Sequence, residues 1–184
     1  MANAGEGIFW GDAASDPKRK YRFFLYIGGI PVWTIKTVDK PTMEIAEQKH
    51  TFLNHEFKFP GRVTWKGEMN VTLADPVQPD LARTLLNAVM NSGYSFPDTP
   101  GAIQTTSKAK AIAAIGGAVR IVQLDADGGE VEVWDLKNAW FSSVDFGGNL
   151  SYEDDGLTEL QCTIKYDWAE MSKGGQPVSG FELK

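Results

Sequence analysis

The sequence predicts a mainly β fold with one flanking α-helix, arranged as a β-barrel or sandwich. Two observations predict the class: apolar and polar residues alternate with a period of two along most of the chain, and one stretch alone has a strong helical pattern. With 184 residues the chain can bury one core, so we expect a single domain spanning residues 1–184.

The first half of the chain contains two alternating stretches. Residues 20–38 predict a hairpin that folds back at Gly28-Gly29, with these alternate residues facing inward: Tyr21, Phe23, Leu25 and Ile27. Residues 65–74 predict a half-buried strand with a second inward set: Trp65, Gly67, Met69, Val71 and Leu73. Both stretches are typical of strands that pack one face on a core.

The second half continues the alternation. Residues 118–146 predict two or three strands with a turn at Asp127-Gly128-Gly129. Residues 158–171 give the clearest strand pattern of all, with these inward positions: Leu160, Cys162, Ile164, Tyr166 and Trp168.

One helix is predicted between the strands, over residues 80–92. Pro79 and Asp80 are typical of a helix start, Gly93 follows its end, and an apolar stripe joins Leu81, Leu85, Ala88 and Val89. Residues 107–117 fit either a weaker second helix or a strand, so the structure of residues 95–117 stays open.

Composition and charge exclude several function classes. The hydrophobic and charged contents, 42% and 23%, are ordinary for a globular chain, and no apolar run is long enough to cross a bilayer. The net charge of −6 divides into +3 for residues 1–124 and −9 for residues 125–184. We therefore expect no membrane anchor, no signal peptide and no grip on nucleic acid through clustered cations.

No group of residues predicts catalysis. The two histidines, His50 and His55, are five positions apart and would point to opposite faces of one strand, which does not form a metal site. Asp125 and Asp127 begin like a calcium loop but lack its glycine and its final glutamate, so a hairpin turn is expected. The lone Cys162 cannot form an internal disulfide and suits a reducing compartment. We expect no enzyme activity and no cofactor.

Two segments of the chain carry a resemblance to a known family. They are "HEFKFPGRVTWKGEMNVTLADPVQPDLARTLLNAVMNSGY", residues 55–94, and "LSYEDDGLTELQCTIKYDWAEM", residues 150–171. Together they resemble the tail tube protein of contractile-tailed bacteriophages. The shared features are the aromatic-Lys-aromatic-Pro-Gly-Arg stretch, the strand leading to Asp75-Pro76, the helix, and the closing Ile-Lys-Tyr-Asp strand. They cover about half of the chain directly.

The resemblance implies a structural virion protein. Such a protein forms hexameric rings that stack into the inner tail tube, a conduit for genome ejection, and contacts sheath, baseplate and tail terminator proteins. DNA would pass without specific binding, no membrane would be involved, and the protein would lie in the virion tail after assembly in the host cytoplasm. The alternatives are the tube of a contractile bacteriocin or a type VI secretion system, or a small β-sandwich enzyme or binding module.

A long connection is the first candidate site. Residues 39–63 separate two predicted strands by about 25 residues, more than a hairpin loop needs. The resembling family uses a long extension here to reach the next ring, which predicts ring stacking by these residues: Lys49, His50, Phe52, His55, Phe57, Lys58, Phe59 and Arg62. Pro41, Pro60 and Gly61 are expected to shape its bends. A hairpin lying on its own subunit is the alternative.

Two further sites are predicted from composition. The amino-terminal arm, residues 1–19, carries Ile8, Phe9 and Trp10 in a polar setting, so it either folds over its own core or docks on a neighbouring subunit. A channel that passes DNA should expose few cations, because Lys and Arg would bind phosphates. The acidic last third therefore supplies five candidates for the lumen: Glu130, Glu132, Asp135, Glu159 and Asp167.

Overall fold

The computed structural model describes residues 16–98 and 103–172, and most of this part is β-structure. Its ten strands, two α-helices and one 3-10 helix follow in chain order: β1 Phe23–Tyr26, the 3-10 helix Val32–Thr34, β2 Ile35–Val38, β3 Met43–Phe52, β4 His55–Trp65, β5 Glu68–Ala74, α1 Leu81–Asn91, α2 Lys108–Ala114, β6 Val119–Leu124, β7 Glu130–Lys137, β8 Trp140–Asp145, β9 Glu159–Lys165 and β10 Trp168–Ser172.

The strands form two four-stranded sheets and a separate two-stranded ribbon. Sheet 1 has the order β1-β6-β7-β10, sheet 2 has the order β2-β5-β9-β8, and β3 pairs with β4 alone. Every pairing is antiparallel. The prediction of a mainly β barrel or sandwich is confirmed.

The core is built by the alternation that the sequence shows. Met69, Val71 and Leu73 of β5 are buried beside Leu160 and Ile164 of β9, to which they are register partners or neighbours. Sheet 1 contributes the inward residues of β1, β6 and β7: Leu25, Val119, Ile121 and Leu136. Because alternate residues of a strand point to opposite faces, each sheet keeps a second face outside this core.

The two helices cover one end of the core. In α1 the side chain of Asp80 accepts a hydrogen bond of 2.9 Å from the backbone N–H of Arg83, the expected N-cap, and Leu81 and Leu85 are fully buried. Ser107 caps α2 in the same way through Lys110. The undecided stretch at residues 107–117 is thus a second short helix, which packs against α1 and β8.

The predicted hairpin over residues 20–38 is wrong. β1 pairs with β6 and β2 pairs with β5, so the two strands lie in different sheets and share only an isolated bridge between Ile27 and Ile30. At the crossing the backbone N–H of Gly28 donates to Ile115, and a Cβ on Gly28 would lie 2.8 Å from the Cα of Gly116. Gly28-Gly29 do form the predicted turn, in which the backbone N–H of Ile30 donates to the carbonyl of Ile27 at 3.2 Å, and the missing side chain of Gly28 permits the close approach to Gly116.

The predicted closing strand is two strands. Leu160, Cys162, Ile164 and Tyr166 are buried as predicted, but Trp168 is exposed and Ala169 is buried in its place. The chain leaves sheet 2 after Lys165 and enters sheet 1 at Trp168. Between them the backbone N–H of Tyr166 donates to Gly67 and that of Asp167 to Lys137, which resets the alternation by one residue.

Within the described residues, none of the helices combines the length and the apolar character that a membrane span requires.

Candidate assembly interface

The long connection predicted for ring stacking is a projecting β-ribbon, formed by β3 and β4. Its register runs from the pair Met43–Trp65 to the pair Phe52–His55, and Leu53 at the tip adopts a positive φ of 52°. A strand of this length spans about 34 Å. All residues of β3 are exposed, so the alternative of a hairpin packed on its own subunit is not what the structure has.

The outer half of the ribbon has an apolar face. Directly opposite residues share a face of an antiparallel pair, as do alternate residues of one strand. The cross-strand pairs Gln48–Phe59, His50–Phe57 and Phe52–His55 therefore lie on one side, which we call the distal aromatic face. Its three phenylalanines, Phe52, Phe57 and Phe59, are 60%, 50% and 55% exposed.

The histidines lie on the same face of the ribbon, contrary to the sequence interpretation. That interpretation treated them as members of one strand, but the turn at residues 53–54 puts His50 on β3 and His55 on β4. The turn changes the alternation, and their pairing with Phe57 and Phe52 brings both imidazoles to the distal aromatic face.

The opposite face of the outer half is charged. It carries Glu47, Lys49, Glu56 and Lys58, whose register positions alternate with the aromatic ones. Lys49 forms ion pairs with Glu56 and Glu47 at 3.2 and 3.7 Å, and Lys58 pairs with Glu47 at 3.5 Å. The eight predicted stacking residues thus separate into an aromatic group with the histidines, a paired charged group, and Arg62.

A β-bulge separates the outer half from the inner half. Between the pairs Ile45–Val63 and Glu47–Pro60, β4 contains one residue more than β3. Gly61 lies at this point, and a Cβ there would be 3.0 Å from the carbonyl oxygen of Ala46. Beyond the bulge, toward the sheets, further large apolar side chains are exposed: Met43, Ile45 and Val63.

The apolar side chains change faces along the ribbon. On β3, which has no extra residue, Met43 and Ile45 share their parity with Glu47 and Lys49, whereas Phe52 shares its parity with His50. The inner half therefore exposes apolar groups on the face that is charged further out. Both faces of the ribbon present hydrophobic surface to solvent, in different halves, which is typical of a segment that other chains cover.

The five lumen candidates do not converge on one surface. Glu159 lies on the outward face of sheet 2 and forms an ion pair with Lys36. Asp135 lies on the outward face of sheet 1, where Arg120 Nε donates to it at 2.7 Å. Asp167 joins Lys108 and Asn138 between β9 and β10, while Glu130 is exposed at the start of β7.

Glu132 is buried, with 7% exposure, and its contacts lie inside the subunit. Burial alone raises the pKa of its carboxyl, but hydrogen bonds from Lys18, Lys40 and Trp134 outweigh this and lower the pKa to about 2. The lysines come from the basic first part of the chain, as do Lys36, Lys108 and Arg120. Four of the five lumen candidates are therefore paired with cations from the first part of the chain, a pairing that charge counts along the sequence do not reveal.

The sequence alternation predicted the outward residues of β5 and β9, but not that they join in one polar face of sheet 2. Its outward residues in the central strands β5 and β9 are small or polar: Glu68, Asn70, Thr72, Ala74, Glu159, Gln161, Thr163 and Lys165. Lys165 pairs with Glu68 at 3.3 Å, and Thr163 Oγ1 donates to Asn70 at 3.2 Å. The signal was present as the polar half of each alternating stretch.

Three features of residues 16–98 and 103–172 concern metal and thiol chemistry. No three or more His, Cys, Asp or Glu residues lie together there in a metal-binding arrangement. Cys162 is buried in β9, and burial raises the pKa of its thiol to about 12. Asp125 instead caps the β6–β7 turn by accepting from the N–H groups of Asp127 and Gly129. The arm residues Ile8, Phe9 and Trp10 lie outside the described residues.

Comparison with known proteins finds similarity at the level of structure. No protein-family model matches the chain, and no curated protein matches it in sequence. A chain of the anti-feeding prophage tube-terminating cap superposes with a TM-score of 0.61 and 13% identity, covering 94% of this chain and 99% of that one.

Two structures of an extracellular contractile injection system, PVC, are similar as well. A chain of its sheath/tube terminator gives a TM-score of 0.58 at 15% identity, over 85% of this chain and 97% of that one. A chain of its sheath-tube complex gives 0.56 at 15% identity, over 88% and 95%. The protein therefore has the fold found in tube and tube-terminator assemblies of contractile injection systems.

Proposed function

We propose that the protein is the inner tube subunit of a contractile tail, specifically that of a contractile-tailed bacteriophage. Six copies form a ring, and rings stack into a conduit for genome ejection. The observation that carries the proposal is the projecting ribbon. A two-stranded hairpin is marginally stable by itself in water, and this one exposes seven large apolar side chains. A second copy in the next ring would cover them.

Ring stacking is supported by the length and chemistry of the ribbon. At about 34 Å it reaches well beyond the sheets that carry it. Aromatic side chains with nearby polar groups are typical of interface hot spots. The distal aromatic face would pack on the adjacent ring, and the ion pairs of Lys49 and Lys58 would remain on the solvent-exposed face. At the base of the ribbon the ring of Trp65 contacts the ring of Tyr166 edge to face, with 6.5 Å between the ring centroids. This contact attaches the ribbon to the core.

Ring closure is supported by sheet 2. Its outermost strands, β2 and β8, have no further strand partner among the described residues, and unpaired edges tend to pair with other chains. Since β2 and β8 run in opposite directions, β8 of one copy can continue antiparallel into β2 of the next. Six such sheets side by side, at about 4.8 Å between strands, close a cylinder roughly 40 Å across. That is wide enough for a DNA duplex.

The polar face of sheet 2 suits the lumen. Lys36 and Lys165 on this side are each paired with a glutamate, so neither offers a free cation to a phosphate. DNA would then pass without specific binding. Of the sequence candidates, Glu159 belongs to this face. The revised lumen set adds Asn70, Thr72, Gln161 and Thr163.

The same role accounts for the remaining expectations. Sheath, baseplate and tail terminator proteins are the proposed partners, the virion tail is the proposed location, and the role is structural without catalysis or a cofactor. Structures similar to this chain come from a sheath-tube complex and from a baseplate of contractile particles. A bacteriocin tube would share the architecture and differ in carrying no genome.

A tube-terminating cap is the second candidate. The specific observation that favours it is the similarity to a chain of a tube-terminating cap over nearly the whole length of both chains. A cap and a tube subunit would form the same kind of ring and differ in stacking, because tube subunits stack repeatedly whereas a cap stops after one ring.

Electron microscopy of the purified protein tests the proposal. Over a series of protein concentrations, we expect negatively stained rings in projection and tubes of many rings. Single rings that never stack would favour the cap. A protein that remains monomeric at every concentration, with sedimentation showing one species, would contradict both candidates.

A further inference from the structure

A groove of about 690 Å³ lies beside the outer edge of sheet 2, between α1, α2 and β8. Its lining is mainly apolar and includes Leu86, Val89, Ala111, Phe141, Val144 and Phe146. Phe146 is 49% exposed and Leu86 is 37% exposed, so the lining is open to solvent. Lys108, paired with Asp167, stands at its rim.

A large aromatic side chain projects from the opposite edge of the same sheet. Trp33 lies in the 3-10 helix that directly precedes β2, the other outermost strand, and is 68% exposed. The neighbouring Thr34 is fully buried, and its hydroxyl donates to the carbonyl of Pro31 at 2.7 Å. The 3-10 turn is thereby anchored, so Trp33 is presented from a fixed backbone and would lose little conformational freedom on binding.

We infer that Trp33 of one copy enters the groove beside β8 of the next copy in the ring. The inference rests on the proposed ring, and it adds the contact that would fix neighbouring copies. Strand polarity supports it. When β8 continues antiparallel into the β2 of a neighbour, the start of β2 lies beside the end of β8.

The rows of sheet 2 place the two features at one level. Ile35 pairs with Leu73 and Leu73 with Leu160, and the residue after Leu160, Gln161, pairs with Asp145. The start of β2 is therefore level with Phe146, at the end of β8. Trp33 also borders a shallow cavity with Leu25 of β1, so it lies on the core side of sheet 2, as the groove does. Along the hydrogen-bonded rows of sheet 2, Trp33 and the groove therefore lie at matching positions on its two edges and on the same side of the sheet.

The inference commits to a second copy of this chain as the occupant. Tryptophan is among the residues most enriched at hot spots, which lie in well-packed pockets closed to water. A head-to-tail contact of this kind uses two different surfaces, so it generates a ring when the rotation closes.

Two single substitutions test the two halves of the contact. Trp33→Ala removes the side chain that enters the groove, and Ala111→Trp fills the groove from α2. Each variant alone should raise the concentration needed for half-maximal ring formation at least about tenfold, as loss of a hot spot implies. Tyr152→Ala is the matched control, because Tyr152 is a fully exposed aromatic in the β8–β9 loop. It should assemble as the unmodified protein does. Thermal unfolding checks that each variant is folded. If Ala111→Trp is not folded, the result for Trp33→Ala alone tests the contact.

Mixing the two variants gives the sharpest result. The groove is intact in Trp33→Ala, and Trp33 is intact in Ala111→Trp. Trp33 of the second variant can therefore enter the groove of the first, whereas the reverse contact cannot form. We expect a heterodimer at equal ratio by analytical ultracentrifugation, with no closed rings. If the unmodified protein forms rings and both folded variants form them equally well, the docking inference is wrong while the ring stands. If the unmodified protein forms no rings, the proposed function fails and the inference fails with it.

Discussion

Glu132 and Lys40 form an ion pair that joins sheet 1 to the root of the ribbon. Lys40 Nζ lies 2.6 Å from Glu132 Oε1, on β7, and Lys40 stands just before β3 in the chain. The other carboxylate oxygen binds Lys18, at the root of the amino-terminal arm. One buried carboxylate therefore binds a lysine near the end of the amino-terminal arm and a lysine at the start of the long connection. Both segments were predicted to contact neighbouring subunits.

Glu132→Gln should destabilise the folded subunit by about 2 kcal/mol at neutral pH, because it removes the charge that two lysines share. The pKa of this carboxyl is lowered to about 2 from 4.5, so its stabilisation is fully present above about pH 4.5 and disappears as the pH falls toward 2. Urea unfolding measures both effects. Glu153→Gln, in an exposed loop, is the control and should change little. Equal stability of both variants would contradict the account of Glu132.

Local patterns predicted the strands and the main helix, but not which strands pair. Residues 65–74 and 81–91 show the predicted burial because periodicity and capping act within a few residues. Gly28-Gly29 form the predicted turn, yet the strands on its two sides join different sheets, because each pairs with a strand that lies far away in sequence. Trp168 was misplaced for the same reason, since the crossing between sheets depends on tertiary pairing.

The distal aromatic face predicts different effects for two neighbouring positions. Phe57→Ala should reduce tube formation at least about tenfold, because it removes a large apolar group from the proposed contact. Lys49→Ala, on the opposite face, should leave tube formation nearly unchanged. Both side chains are about half exposed, so neither change should alter thermal unfolding by more than a few degrees. Pelleting assays across a concentration series compare them. The reverse order of effects would mean that the charged face makes the contact.

The proposed lumen predicts a gain of DNA binding. Thr163→Lys adds an unpaired cation to the polar face of sheet 2, and rings of such cations should bind phosphates in a salt-dependent way. Assembled variant tubes should retain duplex DNA that nuclease cannot digest, and unmodified tubes should not. Asp127→Lys, in the exposed β6–β7 turn, is the matched control, and any DNA that it binds should be digested. Digestible DNA on the Thr163 variant would place that residue outside the channel.

The candidate site was predicted in position but not in form. The unusual length and aromatic content of residues 39–63 marked the segment as an interface. Its division into two faces depends on the register set by the turn at residues 53–54 and by the bulge at Gly61, and neither is readable from residue types alone. For the lumen set, the sequence does not show that four of the five carboxylates form ion pairs, because their partners lie at least 15 residues away along the chain.

Shortening the ribbon tests the central claim most directly. Replacing residues 46–62 by Asn-Gly keeps the pairs Met43–Trp65 and Ile45–Val63 and closes them with a two-residue turn. The account predicts that the shortened protein unfolds within a few degrees of the original and forms single rings that do not stack, as seen by electron microscopy. Tubes of normal length from the shortened protein would show that the ribbon does not join the rings.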